Sequence, residues 1–159
     1  KLGIWPVGEY CPARRTSKNR EKGTLCWENK NITREVYRDL LISKVLPSIV
    51  ENWPRSDRRV RQIKIQQDGA KSHIGEDDVE FRAAVAALQL NAVLVTQPPN
   101  SHDTNLCDLG LFRSIQSAND MVADSEKKLI ESVKMAYNKY PRNKINYTWL
   151  TLQSCLTKS

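Results

Sequence analysis

Two aspartates, Asp68 and Asp108, are the residues of this chain best placed to do chemistry. Asp68 follows a short apolar run that ends at Gln67, and Asp108 precedes a stretch of helical composition. Acidic side chains at strand ends can converge beyond the carboxyl edge of an open α/β sheet, where such folds take ligands. Two carboxylates there could bridge divalent ions about 4 Å apart. One ion would activate water or a 3′ hydroxyl, and the other would stabilise the leaving oxygen of a phosphodiester. Mg²⁺ suits this task, with Mn²⁺ as a substitute, because a hard ion keeps its waters and needs few protein carboxylates. The residue types alone leave plainer readings open. An aspartate before a helix is ordinarily a cap, His73 could be a hydrogen-bonded boundary residue, and Asp103 competes with Asp108 for any metal role.

The elements that must position these residues follow from pattern. Lys1–Val7 reads as a short strand closed by Pro6, which cannot donate to a ladder. Residues 8–31 are polar and read as loop, with Arg14, Arg15, Lys18, Arg20 and Lys22 inside nine residues. That run is either solvated or in contact with phosphates. Thr33 caps a long helix whose apolar positions are Val36, Leu40, Leu41, Val45, Ile49 and Val50, kinked at Pro47 and ended at Pro54. Arg55, Arg58, Arg59 and Arg61 follow. Val60–Gln67 reads as a strand, and a helix begins at Asp77 or Asp78 with the stripe Phe81, Ala84, Val85 and Leu88. Ala92–Thr96 reads as a buried strand, and Pro98–Ser101 as a loop. Helices are expected from Leu111 to Asn119, from Val122 to Tyr140 and from Ile145 to Leu156. Strands separated by helical crossovers argue an α/β architecture with a partly parallel sheet.

Composition sets wide bounds. The 159 residues suit one domain, spanning 1–159, and 40% hydrophobic with 27% charged residues suits a globular chain. Lys and Arg outnumber Asp and Glu by 25 to 18, a net +7 that fits a polyanionic partner without requiring one. Cys11, Cys26, Cys107 and Cys155 form no CxxC pair and have no histidine at zinc-site spacing. No signal peptide or 18-residue apolar run is present, so neither a membrane nor an oxidising compartment is expected.

Two longer segments narrow the field. Gln66–His73, QQDGAKSH, resembles the signature around the second catalytic aspartate of mariner-like DNA transposases. Gln97–Phe112, QPPNSHDTNLCDLGLF, is similar to their third-aspartate segment. Thirty-nine residues separate Asp68 from Asp108, the interval typical of the branch found in plants and oomycetes. Gly3–Pro6, Arg15–Arg20, Gly23–Thr24, Lys44–Pro47, Arg113–Ser117 and Leu150–Cys155 resemble that branch in the same order.

The resemblance implies a ribonuclease-H-like fold that cleaves DNA at transposon ends and joins the freed 3′ end to target DNA. Asp68 and Asp108 would be catalytic metal ligands for Mg²⁺ or Mn²⁺, with His73, Gly69 and Asn105 near the site. Arg14, Arg15, Lys18, Arg20, Lys22, Arg55, Arg58 and Arg59 become candidates for DNA-backbone contacts, which give affinity without reading sequence. DNA is the implied partner, the nucleus the implied compartment, and a homodimer the implied state of a full-length protein. Gly69 stands where the family usually has Asn, and His102 where it usually has Pro. The family's first aspartate lies upstream of the Gly3–Pro6 segment, and the sequence opens at Lys1. The expectation is therefore a catalytic domain truncated at its N-terminus, inactive alone, with an exposed sheet edge. A non-catalytic DNA-binding or interaction protein derived from a transposase remnant is the alternative.

Overall fold

A computed structural model describes residues 2–117 and 126–158. It is a small mixed α/β arrangement with two separate two-stranded sheets. The expected strand at the start is absent: residues 2–7 run without pairing to a described strand. Pro6 offers no donor, and the segment lies along helices instead, its Leu2 carbonyl accepting from Ser48 Oγ at 2.7 Å.

The expected 8–31 loop is also corrected. It contains an antiparallel hairpin, β1 (Gly8–Pro12) and β2 (Leu25–Asn29), paired from Gly8↔Asn29 to Pro12↔Leu25. Cross-strand contacts supply what the polar composition concealed. Tyr10 and Trp27 meet edge to face at 5.3 Å, and Lys30 pairs with Glu9 at 2.6 Å. The basic run lies in the connection, tied by Ala13 N–H to the Thr24 carbonyl (2.8 Å) and Gly23 N–H to the Ala13 carbonyl (2.9 Å). Cys11 faces Cys26 in the ladder, and none of the four cysteines forms a disulfide among the described residues.

Thr33 caps the next element as its sequence implies, its Oγ1 accepting from Val36 N–H at 3.3 Å. α1 (Arg34–Leu40) and α2 (Leu46–Asn52) are joined by a π-helical turn, Leu41–Val45. Pro47 explains this widening. Its nitrogen cannot answer the Ser43 carbonyl, and Leu46 N–H reaches back five residues to Leu41. The run ends at Trp53 before Pro54, and a four-residue helix, α3 (Arg55–Arg58), follows.

The central unit is β3 (Ile63–Gln67), α4 (Val79–Ala87) and β4 (Ala92–Thr96), with β3 and β4 parallel in the register Ile63↔Ala92 to Gln67↔Thr96. β3 begins three residues later than the pattern of Val60–Gln67 suggests, because Val60 and Arg61 are held in a turn on the Asp57 carbonyl. The sheet buries one face: Ile63, Ala92 and Leu94 join Leu41, Leu46, Ile49, Phe81 and Val85 in the core. Lys64 and Gln66 are exposed, and Val93 and Val95 only half-buried, so β4 is less enclosed than its composition implies. Each strand of the pair is an edge of its two-stranded sheet among the described residues.

Arg38 fastens α1 to α4. Its Nε and Nη2 donate to both Asp78 carboxylate oxygens at 2.8–3.1 Å, while Asp78 Oδ1 caps α4 through Phe81 N–H at 2.9 Å. This hydrogen bond to Arg38 holds the Asp78 carboxyl below the usual aspartate range.

After β4 the chain forms a turn at His102–Thr104, a second π-helical turn at Cys107–Leu111, and α5 (Phe112–Ser117). α6 (Glu126–Lys139) and α7 (Arg142–Lys158) complete the described structure, separated at Pro141. The helix expected from Leu111 is α5, opening one residue later, and Gly110, non-helical at φ +153, breaks it from the turn before it. Its expected end at Asn119, and the start of the next helix at Val122, lie outside the described residues. The last helix opens at Arg142, three residues before the expected Ile145. No helix among the described residues is long and apolar enough to cross a membrane.

Candidate metal centre

Asp68 and Asp108 face one cavity. It has a volume of about 570 Å³, and its wall also includes Gly69, Gln97 and the Pro98–Ser101 loop. The parallel register explains the position. β3 and β4 end together, Gln97 N–H donates to the Gln67 carbonyl at 2.8 Å, and the chain leaves both strands at their carboxyl ends. Asp103 does not line this space, which leaves Asp108 as the acid of its segment that does.

Asp68 is fixed at one oxygen. Its Oδ1 accepts from Ala70 N–H at 2.9 Å, a local turn of the kind aspartate favours. His73 Nδ1 lies 3.1 Å from the same oxygen and 2.9 Å from the Asp68 carbonyl. The His73 ring stacks on Tyr37 of α1, with centroids 4.1 Å apart and planes 22° apart. His73 is thus the hydrogen-bonded boundary residue that the sequence allowed, and it also steadies Asp68. Oδ2 accepts no hydrogen bond from a described residue, and the Asp68 side chain is 57% exposed. Tyr37 is pushed up to about 12, by burial first and by the Asp68 charge second, so its phenol stays neutral at physiological pH.

Asp108 lies inside a helical turn and is not its cap. Asn105 holds the start of that turn: its Oδ1 accepts from Cys107 N–H at 3.0 Å, and its carbonyl accepts from Asp108 and Leu109 N–H at 3.1 and 3.0 Å. Asn105 is thus the residue that orients the turn. Burial, and then the Asp108 charge, push the neighbouring Cys107 thiol up, which keeps it protonated and a poor ion ligand.

The donors suit a hard cation. Gln97 Oε1 is buried without a hydrogen-bond partner among the described residues, while its Nε2 donates to the Ser101 carbonyl. The hard oxygen donors on the cavity are the two carboxylates, which is the ligand type such an ion takes. A third acid comes near the end of β4, where Glu76 Oε1 accepts Thr96 N–H at 2.7 Å, yet Glu76 does not line the cavity. Among the described residues, no three His, Cys, Asp or Glu side chains gather closely enough to hold an ion.

Gly69 lines the cavity, and a Cβ there would meet nothing within 4 Å. The basic candidates are elsewhere. Arg14, Arg15, Lys18, Arg20 and Lys22 are exposed on the hairpin connection, outside the cavity wall. Arg55 and Arg59 are exposed as well, and Arg59 Nη2 donates to Gln89 Oε1. The side chains of Arg58 and His102 lie outside the described residues. Sequence reasoning missed Gln97, and it missed Tyr37, which it counted on no face. Only the glutamine's place directly after an apolar strand hinted at a site role. No family model, curated protein or solved structure matches the chain.

Proposed function

We propose that this chain supplies two carboxylates, Asp68 and Asp108, to the divalent-metal centre of a mariner-type DNA transposase with a ribonuclease-H-like catalytic domain. The observation that carries the reading is their meeting on one cavity at the carboxyl ends of two parallel strands, across thirty-nine intervening residues. Apart from Thr96, the cavity lining comes from the two transposase-like segments: the first brings Asp68 and Gly69, the second the Gln97–Ser101 loop and Asp108.

Asp68 Oδ2 and the Asp108 carboxylate would hold the ion. A bound Mg²⁺ or Mn²⁺ supplies Lewis acidity and an activated oxygen nucleophile for phosphodiester chemistry. The chain's own groups do the positioning. His73, braced by Tyr37, keeps Asp68 aimed at the cavity, and Asn105 sets the turn that presents Asp108. DNA is the proposed substrate and partner, the nucleus the proposed setting, and a dimer the proposed full-length form.

Calorimetric titration of Mg²⁺ and Mn²⁺ tests the site. Wild type should bind, and Asp68→Ala and Asp108→Ala should each abolish the signal; equal binding by all three would end the reading. A non-catalytic DNA-binding role has one observation in its favour, the want of a third ligand among the described residues. Supercoiled-plasmid nicking in Mn²⁺ separates the two. Nicking that disappears in Asp68→Ala supports a working centre, whereas DNA binding without nicking supports the non-catalytic role.

A further inference from the structure

A second cavity, of about 540 Å³, opens where α5, α6 and α7 converge. Arg113 of α5, Lys139 at the end of α6 and Lys144 near the start of α7 line it, together with Tyr140 and Ser114. Pro141 creates this convergence by stopping α6 and turning the chain, with Lys144 N–H donating to its carbonyl at 3.2 Å. Among the described residues, no acid lines the cavity and none of the three cations forms an ion pair. All three are exposed, so none serves the core. Three cations around one hollow, with hydroxyls beside them, provide charge and hydrogen-bond donors for phosphate oxygens.

The hollow is also next to the carboxylates. Gly110 lines it and Asp108 lines the metal cavity, two residues apart in one turn. We infer that Arg113, Lys139 and Lys144 form a phosphodiester-backbone site that grips DNA beside the cutting centre. This rests on the transposase reading and deepens it, because neither basic run picked out by sequence lines either cavity. The site is a clamp for a polyanion: separate helices contribute one cation each, and successive phosphates along a strand can engage them together.

The test is fluorescence anisotropy of a labelled 20-base-pair duplex, in EDTA, across a KCl series. Loss of three phosphate contacts should lower the slope of log affinity against log salt by about 2.7 in Arg113→Ala/Lys139→Ala/Lys144→Ala. A triple with the same charge change elsewhere, Arg82→Ala/Lys127→Ala/Lys134→Ala, should keep the wild-type slope. Equal slopes for the two triples, or a cavity triple that binds like wild type, would overturn the site. So would a cavity triple that loses poly-L-glutamate binding while keeping DNA, since the partner would then be an acidic protein. If circular dichroism shows the triple unfolded, the single variants Lys139→Gln and Lys144→Gln replace it, each expected to lower the slope by about 0.9. EDTA keeps this result independent of the metal titration. Failure of Mg²⁺ binding with an intact salt effect removes the carboxylate reading alone, and the converse removes the clamp alone.

Discussion

Asp78 performs two tasks that substitution can separate. It caps α4 through Phe81 N–H, and it accepts the Arg38 guanidinium that ties α4 to α1. Asparagine caps about as well as aspartate, so Asp78→Asn keeps the first task and loses the charge of the second. Asp78→Ala loses both. The difference between the two variants is the cap, about 1 kcal/mol. In a chain of 159 residues, that corresponds to roughly 2–4 °C in melting temperature. Arg38 keeps a second partner in either variant, since Glu80 Oε1 lies 3.3 Å from Nη1. Urea unfolding followed by circular dichroism measures the ordering wild type, then Asn, then Ala.

The same pair makes a pH prediction with a definite sign. Arg38 depresses the folded pKa of Asp78, so the ion pair's contribution is complete above the unfolded aspartate value of about 3.9 and is lost as pH falls through the lower folded value. The gap between wild type and Asp78→Asn should therefore be constant from neutral pH to about pH 5 and close below about pH 4. Asn and Ala variants of equal stability would refute the cap argument. A wild-type-to-Asn gap that widens on acidification would refute the electrostatic one.

His73→Ala should weaken Mn²⁺ binding about tenfold or more by releasing Asp68, with little change in melting temperature; calorimetry that finds wild-type affinity would show that His73 does not position the carboxylate. Tyr37→Leu removes only the stack beneath it, worth about 0.5–1.5 kcal/mol, and should have the smaller effect on the same titration. Phe81→Ala empties the centre of the core, where the ring is 1% exposed, and should cost about 3–5 kcal/mol in denaturant unfolding. Gly69→Ala finds open space and no left-handed backbone, so it should raise stability by about 0.4–1 kcal/mol through the unfolded chain; a clear loss would contradict the open surroundings.

The crossover unit was legible because its signals were local. Thr33 and Asp78 cap the helices they precede, Pro54 ends one, and Ala92–Thr96 has the run and length of the strand it forms. The hairpin was not legible, because its stabilising pairs join Tyr10 to Trp27 and Glu9 to Lys30 across a long polar connection that single-strand patterning cannot see. At the site, the two aspartates were visible by motif. Their supports were hidden, since Tyr37 reaches His73 from another helix and Gln97 acquires meaning only when β4 is laid beside β3. The cationic hollow was invisible for the same reason: Arg113, Lys139 and Lys144 are unremarkable apart and become a cluster only when three helices meet.

The parallel register of β3 and β4 also bears on what a sequence interval measures. Most of the thirty-nine residues between Asp68 and Asp108 are spent on α4 and its connections, which beyond Gly69 lie away from the cavity wall. Lengthening those connections beyond His73 need not move either acid. A single residue inserted within β4 would shift its end by about 3.3 Å and turn its core side chains to the opposite face. Insertions of one size should therefore be silent in one place and ruinous in another. The interval is a by-product of the crossover, and the ladder is the ruler that sets the distance between the carboxylates.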